Sequence, residues 1–531
     1  MAGLEAAKPG QRCTDEQIRL CLLLLNAYGV LRVSHINDQP VESWGIPLGR
    51  SRRPDGDTID QYLNTIIRRD EADDDGASAA VSPGQVRPGG LIDTARLKSL
   101  VCWAQTGLLT DDVWYFDGHT VEYTGQADIG KTKHGTKRTS VKAVKRFTLF
   151  NGISSLTEYS PTKVLLAEAM RQMVTKANAA LPPGYRIRKL AFDKEGWDAD
   201  LLQWLENEQG IIPITWVKAT EPNCRLLAHV PQTEFVPVQE EMTVGKSERE
   251  SRVVQIADTQ VTFPDLDERR VVVLETEAGT RLGIYTTALH PKDAVLDDER
   301  AMTTIGLINT MRFKQRIEND FKVETNEMHS DAIPTHKVYE VHQTEPYDVA
   351  QAQRQLANAE KRLPKYANQE EQHQRLLDDG QIDKHEFNIL NCRTQRLRRQ
   401  TTRQIKKLKT ELDSVEVDEK GQTVRSYTTH VLDLRKLTLL NLFKTHALVA
   451  LHILAQQLGL DGAGPERLRR QFLPFGDRVE FDHERRIVTV YAQRFPRART
   501  RQAYERLCAL LDDLPVTFER NGISYRVRFS W

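Results

Sequence analysis

The sequence has no long apolar run. The longest unbroken one, Leu20 to Leu25, falls far short of the roughly 20 residues that a helical membrane span needs, so no membrane association is expected. Cysteine is scarce, with 6 in 531 residues at positions 13, 21, 102, 224, 392 and 508, and no pair is spaced C-x-x-C. That argues against a structural zinc site and a disulfide framework, and it suits a reducing compartment. There is no excess of charge of either sign, since Lys+Arg and Asp+Glu are both 74, so the whole-chain balance points to no class of partner. The first residues, MAGLEAAKPGQRCTDEQ, have no basic stretch followed by an apolar one, so no secretory signal is expected. No internal repeat is visible. What remains is a chain with 39% apolar and 28% charged residues, long enough for about three or four domains of roughly 100–200 residues each.

Residues 14–33 predict a helix, with Thr14 as N-cap and Gln17 three positions on. A second is expected from Asp57 or Thr58, with Ile59, Leu63 and Ile66 on one face. Residues 71–90, acidic and rich in Gly, Ala, Ser and Pro, read as a linker. From 111 to about 220 strands (113–124, 145–151, 187–193) alternate with helices (162–179, 198–208). Residues 250–290 are β-rich, a helix runs through about 300–322, and 346–415 read as a long helical hairpin broken near Pro364 and Gly380. A helix pair is expected at 431–459. Two hairpins around a helix are expected at 478–531, the second with Asn521-Gly522 at its turn. The expected domains are an N-terminal helical region at 1–70, the linker 71–90, an α/β domain at 91–330, a helical-hairpin arm at 331–430 and an α+β module at 431–531. The 125 residues from Asp193 to Glu318 exceed a loop, so 225–280 reads as a β-rich insertion before the last core strand and the Glu318 helix.

Three acids stand in settings that invite chemistry. Asp117 lies inside an apolar strand (VWYFDGH), Asp193 ends another (IRKLAFD), and Glu318 sits mid-helix in RFKQRIENDFK. A carboxylate in an apolar strand needs a cation, a metal or water. Carboxylates converging from two strands and a helix make a hard-oxygen site for Mg²⁺. Two such ions about 3.5–4 Å apart activate a water or a 3′-hydroxyl in phosphoryl transfer. The plainer alternative makes each Asp a cap or turn residue, and pairs Glu318 with Lys314 or Lys322. His119 shares a strand face with Asp117 and is a candidate second-layer residue beside the metal; packing at the sheet edge is its alternative.

The segments WYFDGHTVEYTG, LAFDKEGWDADLLQWLE and RFKQRIENDFK together resemble the DDE-type transposases of bacterial insertion sequences, over about residues 111–330. Lys194-Glu195 and Met311 depart from that pattern without removing a carboxylate. The resemblance implies a ribonuclease-H-like catalytic core within a multidomain α/β protein. Asp117, Asp193 and Glu318 are then the catalytic and metal-binding residues, holding two Mg²⁺ for which Mn²⁺ can substitute. The reaction is cleavage at transposon ends followed by strand transfer by the freed 3′-hydroxyl. Double-stranded DNA, a dimer assembled on it, and a bacterial cytoplasmic, nucleoid-associated location follow. The alternatives are a non-catalytic DNA-binding protein derived from a transposase, or a metal-dependent nuclease without strand transfer.

Charge is uneven locally. Residues 131–146 carry seven Lys/Arg and no acid, and 393–409 carry eight and no acid. Phosphate backbones attract such runs through counterion release. Lys131, Lys133, Lys137 and Arg138 are candidate DNA contacts, as are Arg312, Arg316 and Lys322 around Glu318. In the second run Arg393, Arg396, Arg399, Arg403 and Lys407 form a helical stripe, and Arg396, Arg399 and Arg403 are its named DNA contacts. A dimerising seam through Leu390, Leu397 and Ile405 is the competing use. Arg50, Arg52 and Arg53 are a weaker phosphate-contact candidate against a plain loop.

Overall fold

The computed structural model describes residues 13–530 apart from 31, 40–43, 51, 73–83, 134–138, 153, 162–163, 245–247, 277, 296–297, 314–336, 418–420, 461–467, 469–474, 493–497, 514–516 and 521–522. It is a mixed α/β protein of two compact units. The first comprises 1–126, 130–337 and 432–531; the second comprises 127–129 and 338–431.

The first unit begins with α1 (Asp15–Ala27), α2 (Gly56–Ala72) and α3 (Leu91–Gln105). Thr14 and Gln17 form the expected capping box on α1. The cap of α2 is Asp55, whose carboxylate accepts from the Thr58 N–H at 2.6 Å, two residues before the expected start. Ile59, Leu63 and Ile66 are all buried, and pack with Ile18 and Leu22 of α1.

The main sheet contains β1 (Trp114–Glu122), β2 (Lys131–Lys133), β3 (Ser140–Asn151), β4 (Ser154–Ser160), β5 (Lys189–Phe192) and β6 (Ile212–Trp216). β3 pairs antiparallel with both β4 and β1, and β5 pairs parallel with both β1 and β6, so they lie side by side as β4-β3-β1-β5-β6. The connection from β4 to β5 carries α4 (Leu166–Ala180), and that from β5 to β6 carries α5 (Ala199–Gln203), prolonged by a π turn at Trp204–Glu208. Parallel neighbours need such crossovers. Trp114, Phe116, Leu190 and Phe192 point to one face with Met170, Met173 and Leu201. Tyr115, Ala191 and Ile214 point to the other.

After α6 (Glu221–Ala228) come β7 (Val236–Val244), β8 (Glu248–Thr262), β9 (Glu268–Glu275) and β10 (Arg281–Thr286). The stretch read as an insertion, 225–280, and the strand after it extend the same sheet. β10 pairs antiparallel with β6, and β9, β8 and β7 follow outward. A helix at 304–313, here α7, then lies on the Tyr115 face. Its Leu307, Ile308 and Met311 pack on residues of β8, β9, β10, β6, β5 and β1.

Residues 435–457 form one helix, α10 (Arg435–Gln457), rather than a pair. By length and composition it could cross a membrane, yet Leu439, Leu442 and Phe443 are buried against α1 and α2, so its apolarity is that of a core helix. The module that follows has β14 (Phe475–Asp482), β15 (Ile487–Ala492), α11 (Ala498–Asp512), β16 (Thr517–Arg520) and β17 (Ile523–Ser530), with strand order β14-β15-β17-β16.

The second unit is a helical hairpin on a small sheet: β11 (Val338–Pro346), α8 (Val349–Asp378), α9 (Lys384–Asp413), β12 (Val415–Val417) and β13 (Thr423–Leu432), with strand order β11-β13-β12. Pro364 lies within α8 without ending it, and the turn falls at Gly380, with φ +68°. Buried Ala352 and Ala359 face an α9 seam of Thr394, Thr401 and Leu408, spaced by heptads.

Candidate functional site

The pairing of β1 with β5 places the two aspartates. Trp114, Tyr115 and Phe116 are matched with Leu190, Ala191 and Phe192. The next residue on each chain is Asp117 and Asp193. Asp193 keeps an extended backbone, φ −78° and ψ 160°, so the alternation carries through it. Both aspartates therefore follow Tyr115 and Ala191 onto the same face, one strand spacing, about 4.8 Å, apart. Both are half-buried. The two aspartates, more than seventy positions apart in sequence, are thus neighbours across the β1–β5 pairing, Asp117 within β1 where its parallel pairing ends and Asp193 just past the C-terminal end of β5.

Asp193 also occupies the N-cap position of a 3₁₀ turn, Lys194–Gly196, but its side chain makes no cap hydrogen bond. Its carbonyl accepts from Gly196 N–H at 2.9 Å. Of the plainer alternative, cap or turn residue, the backbone of Asp193 meets the turn half while its side chain makes no cap. Gly196 is required by crowding: a Cβ there would stand 2.8 Å from Phe192 Cδ2 and 3.3 Å from Met170 Cε. Thus the turn is pressed onto the core while the carboxylate stays on the opposite face. Gly118 does the same beside Asp117, with a Cβ meeting Leu166 Cδ1 at 2.7 Å.

Around Asp117 the row continues with Thr148 of β3, its register partner, whose hydroxyl lies 3.3 Å from that of Thr157 on β4. His119 is exposed and stands opposite Arg146, which is buried. Arg146 was not legible as part of this surface, because its place depends on the β1–β3 register. Below Asp117, Tyr115 meets Phe313 of α7 with ring centroids 5.3 Å apart. Burial holds the Tyr115 phenol well above its ordinary range, so it is a neutral wall of the site.

Glu318, Arg316, Lys322, Lys137 and Arg138 lie outside the described residues. Arg312 is half-buried on α7, next to Phe313. Among the described residues no group of three or more His, Cys, Asp or Glu is placed to hold a metal. Asp117 and Asp193 alone supply two hard oxygen donors of the kind Mg²⁺ takes.

Lys131 is exposed on β2 and pairs with Lys142; Lys133 pairs with Ser140. Lys142 donates to Gln126 O at 3.2 Å, and Lys145 to Thr120 Oγ1 at 3.1 Å, so the basic run lies as a ribbon on β2 and β3. On the arm, Arg396, Arg399 and Arg403 are all exposed on α9, turned away from the buried Thr394–Thr401–Leu408 line. The apolar seam is not the expected one, since Leu390 and Leu397 are 36% and 38% exposed. Thr and Ala fill the seam because they allow close helix approach, a signal that a search for Leu and Ile misses. Arg50 and Arg53 serve the local fold: Arg50 donates to Gln17 Oε1 at 2.9 Å, and Arg53 to Asn37 O at 2.8 Å and Gln39 O at 3.0 Å.

No protein-family profile and no curated protein matches the sequence. Among solved structures, the fold has a distant likeness to the cryo-EM structure of a piggyBac transposase synaptic complex with hairpin DNA. Identity is 8%, the match covers 90% of this chain and 81% of that one, and the TM-score is 0.33.

Proposed function

We propose that the chain is a metal-dependent enzyme of DNA cleavage and strand transfer, a transposase of the DDE type with a ribonuclease-H-like core. The observation that carries the reading is the placement of Asp117 and Asp193 directly after register partners of two adjacent parallel strands, β1 and β5. The order β4-β3-β1-β5-β6, antiparallel in its first three strands and parallel in its last three, supports the core assignment.

Glu318 is the third carboxylate in this reading. Phe313 lies against Tyr115, and Asp117 is two strand residues, about 6.6 Å, further along the same face. Glu318 follows Phe313 by five positions in the sequence.

Bound Mg²⁺ supplies Lewis-acid stabilisation and an activated water or 3′-hydroxyl. The chain's own residues supply the rest. Asp117, Asp193 and Glu318 would hold the ions, and the parallel pairing of β1 with β5 sets the two aspartates one strand spacing apart. Tyr115, Phe313 and the apolar face beneath keep that side of the site dry. Lys131, Lys133 and the neighbouring basic ribbon draw in the DNA backbone, and the arm's Arg396, Arg399 and Arg403 add phosphate contacts.

The test is cleavage of DNA carrying the element's ends, in Mg²⁺, by wild-type protein and by Asp117→Asn and Asp193→Asn. Loss of cleavage in both variants, with DNA binding retained, is the expected result. Wild-type rates in either variant would remove it from the mechanism. Cleavage without joined product would make the protein a nuclease, and binding without cleavage by wild type a non-catalytic DNA-binding protein.

A further inference from the structure

Arg270 of β9 lies on the carboxylate-bearing face of the sheet, only 4% exposed. Its Nε and Nη2 donate to the two oxygens of Asp258 on β8, at 2.9 and 2.7 Å. Its Nη1 donates to the carbonyls of Leu289 at 2.9 Å and Met302 at 2.8 Å, with Ala288 O at 3.3 Å. Those carbonyls form the neck of the segment joining β10 to α7, which is closed by Met302 N–H to Leu289 O and Leu289 N–H to Arg300 O, both 3.0 Å. Asp258 also accepts from the hydroxyl of Thr304, the first residue of α7. One guanidinium therefore ties β8, both sides of the neck and, through Asp258, the start of α7. The far end of that helix touches Tyr115, two residues from Asp117.

We infer that Arg270, acting through Asp258 and Thr304, is a positioning residue for the proposed metal site: it fixes where α7 crosses the sheet relative to Asp117 and Asp193. The inference rests on the functional reading above. An arginine suits the task because its planar fork engages a carboxylate and carbonyls at once, which lysine cannot do. A buried fork also holds one geometry, whereas apolar packing of Leu307, Ile308 and Met311 alone tolerates sliding.

A second arginine supplies the control. Arg281 of β10 is anchored alike, to Leu227 O at 3.1 Å, Ala228 O at 3.0 Å, Val230 O at 2.6 Å and Glu275 at 3.2 Å, and among the described residues makes no bond to α7 or its neck. The experiment measures Mn²⁺ binding by electron paramagnetic resonance, and melting temperature, on the full chain. The proteins compared are wild type, Arg270→Lys, Thr304→Val, Arg281→Lys and Asp117→Asn. Arg270→Lys and Arg281→Lys should both lower the melting temperature. Arg270→Lys should in addition weaken Mn²⁺ binding about tenfold or more, as changes to groups that orient metal ligands do. Thr304→Val should weaken binding by a smaller factor with little change in melting. Equal weakening by Arg270→Lys and Arg281→Lys, or none by Arg270→Lys, overturns the assignment. A wild-type protein lacking a Mn²⁺ site that Asp117→Asn removes overturns the functional reading itself, and this inference with it.

Discussion

Glu158→Gln tests the charge square under the core of the first unit. Glu158 on β4 meets Lys176 of α4 at 3.0 Å and Arg96 of α3 at 3.3 Å; Arg96 and Lys176 reach Asp93 at 3.3 and 3.7 Å. The Arg96 and Asp93 side chains are 4% and 3% exposed, while Glu158 is 15% and Lys176 25%. Two acids and two bases balance, so removing one acid leaves an uncompensated cation in a poorly solvated place. Breaking a fully buried pair costs about 3–5 kcal/mol; the partial exposure of Lys176, and the amide oxygen Gln offers it, reduce this to about 2–3 kcal/mol. Burial pushes the Glu158 carboxyl up, but Arg96 and Lys176 outweigh it and hold the group below its ordinary 4.5. A carboxyl depressed in the folded state stabilises above its unfolded pKa and loses that contribution as pH falls through the folded value. The assay is urea unfolding of wild type and variant from pH 8 to pH 3. The variant should be weaker by a constant amount down to about pH 5, with the gap narrowing below about pH 4. Equal stability at neutral pH, or a gap unchanged at pH 3, would refute the reasoning.

Three further outcomes are expected. Mn²⁺ at 100 times its dissociation constant should stabilise wild type by about 2.7 kcal/mol and Asp117→Asn hardly at all, read as a melting-temperature shift with and without chelator. Replacing Arg396, Arg399 and Arg403 together by Gln should weaken binding to any DNA sequence alike, and lower the slope of log affinity against log salt by up to about 0.9 per lost phosphate contact; an unchanged slope takes the arm off the DNA-binding surface. Gly283→Ala should destabilise by about 1–3 kcal/mol in thermal unfolding, because its Cβ would meet Val217 Cγ2 at 2.9 Å, Leu227 Cδ2 at 3.0 Å and Val271 Cγ1 at 3.1 Å from three sides.

Much of the local structure was legible because it depends on neighbours in sequence. The Thr14 box, the Ile59–Leu63–Ile66 face and the alternation of β8 to β10 are of this kind. β4 and β6 escaped notice for opposite reasons. β4 buries Ser154, Ser155 and Thr157, polar residues matched by cross-strand partners that no local pattern reveals. β6 is five residues long with Pro213 inside it. The candidate site was half legible. Apolar flanks singled out Asp117 and Asp193 separately, but their adjacency depends on the β1–β5 register, and Arg270 on β9 carried no signal because its partners come from β8 and from the neck before α7.

The small-residue seam of the arm has a consequence of scale. Each of α8 and α9 runs 30 residues, about 45 Å, and the stripe from Arg393 to Lys407 covers about 21 Å of it. One strand of B-DNA sets down a phosphate about every 3.4 Å of axis, so the stripe matches roughly six of them. The hairpin is thereby a ruler graduated in heptads. Adding seven residues to each helix leaves the Ala and Thr register whole and lengthens the arm by about 10 Å. An insertion far from a whole number of turns, such as five residues, would rotate the residues beyond it by roughly 140° and turn the arginines there off the outer face.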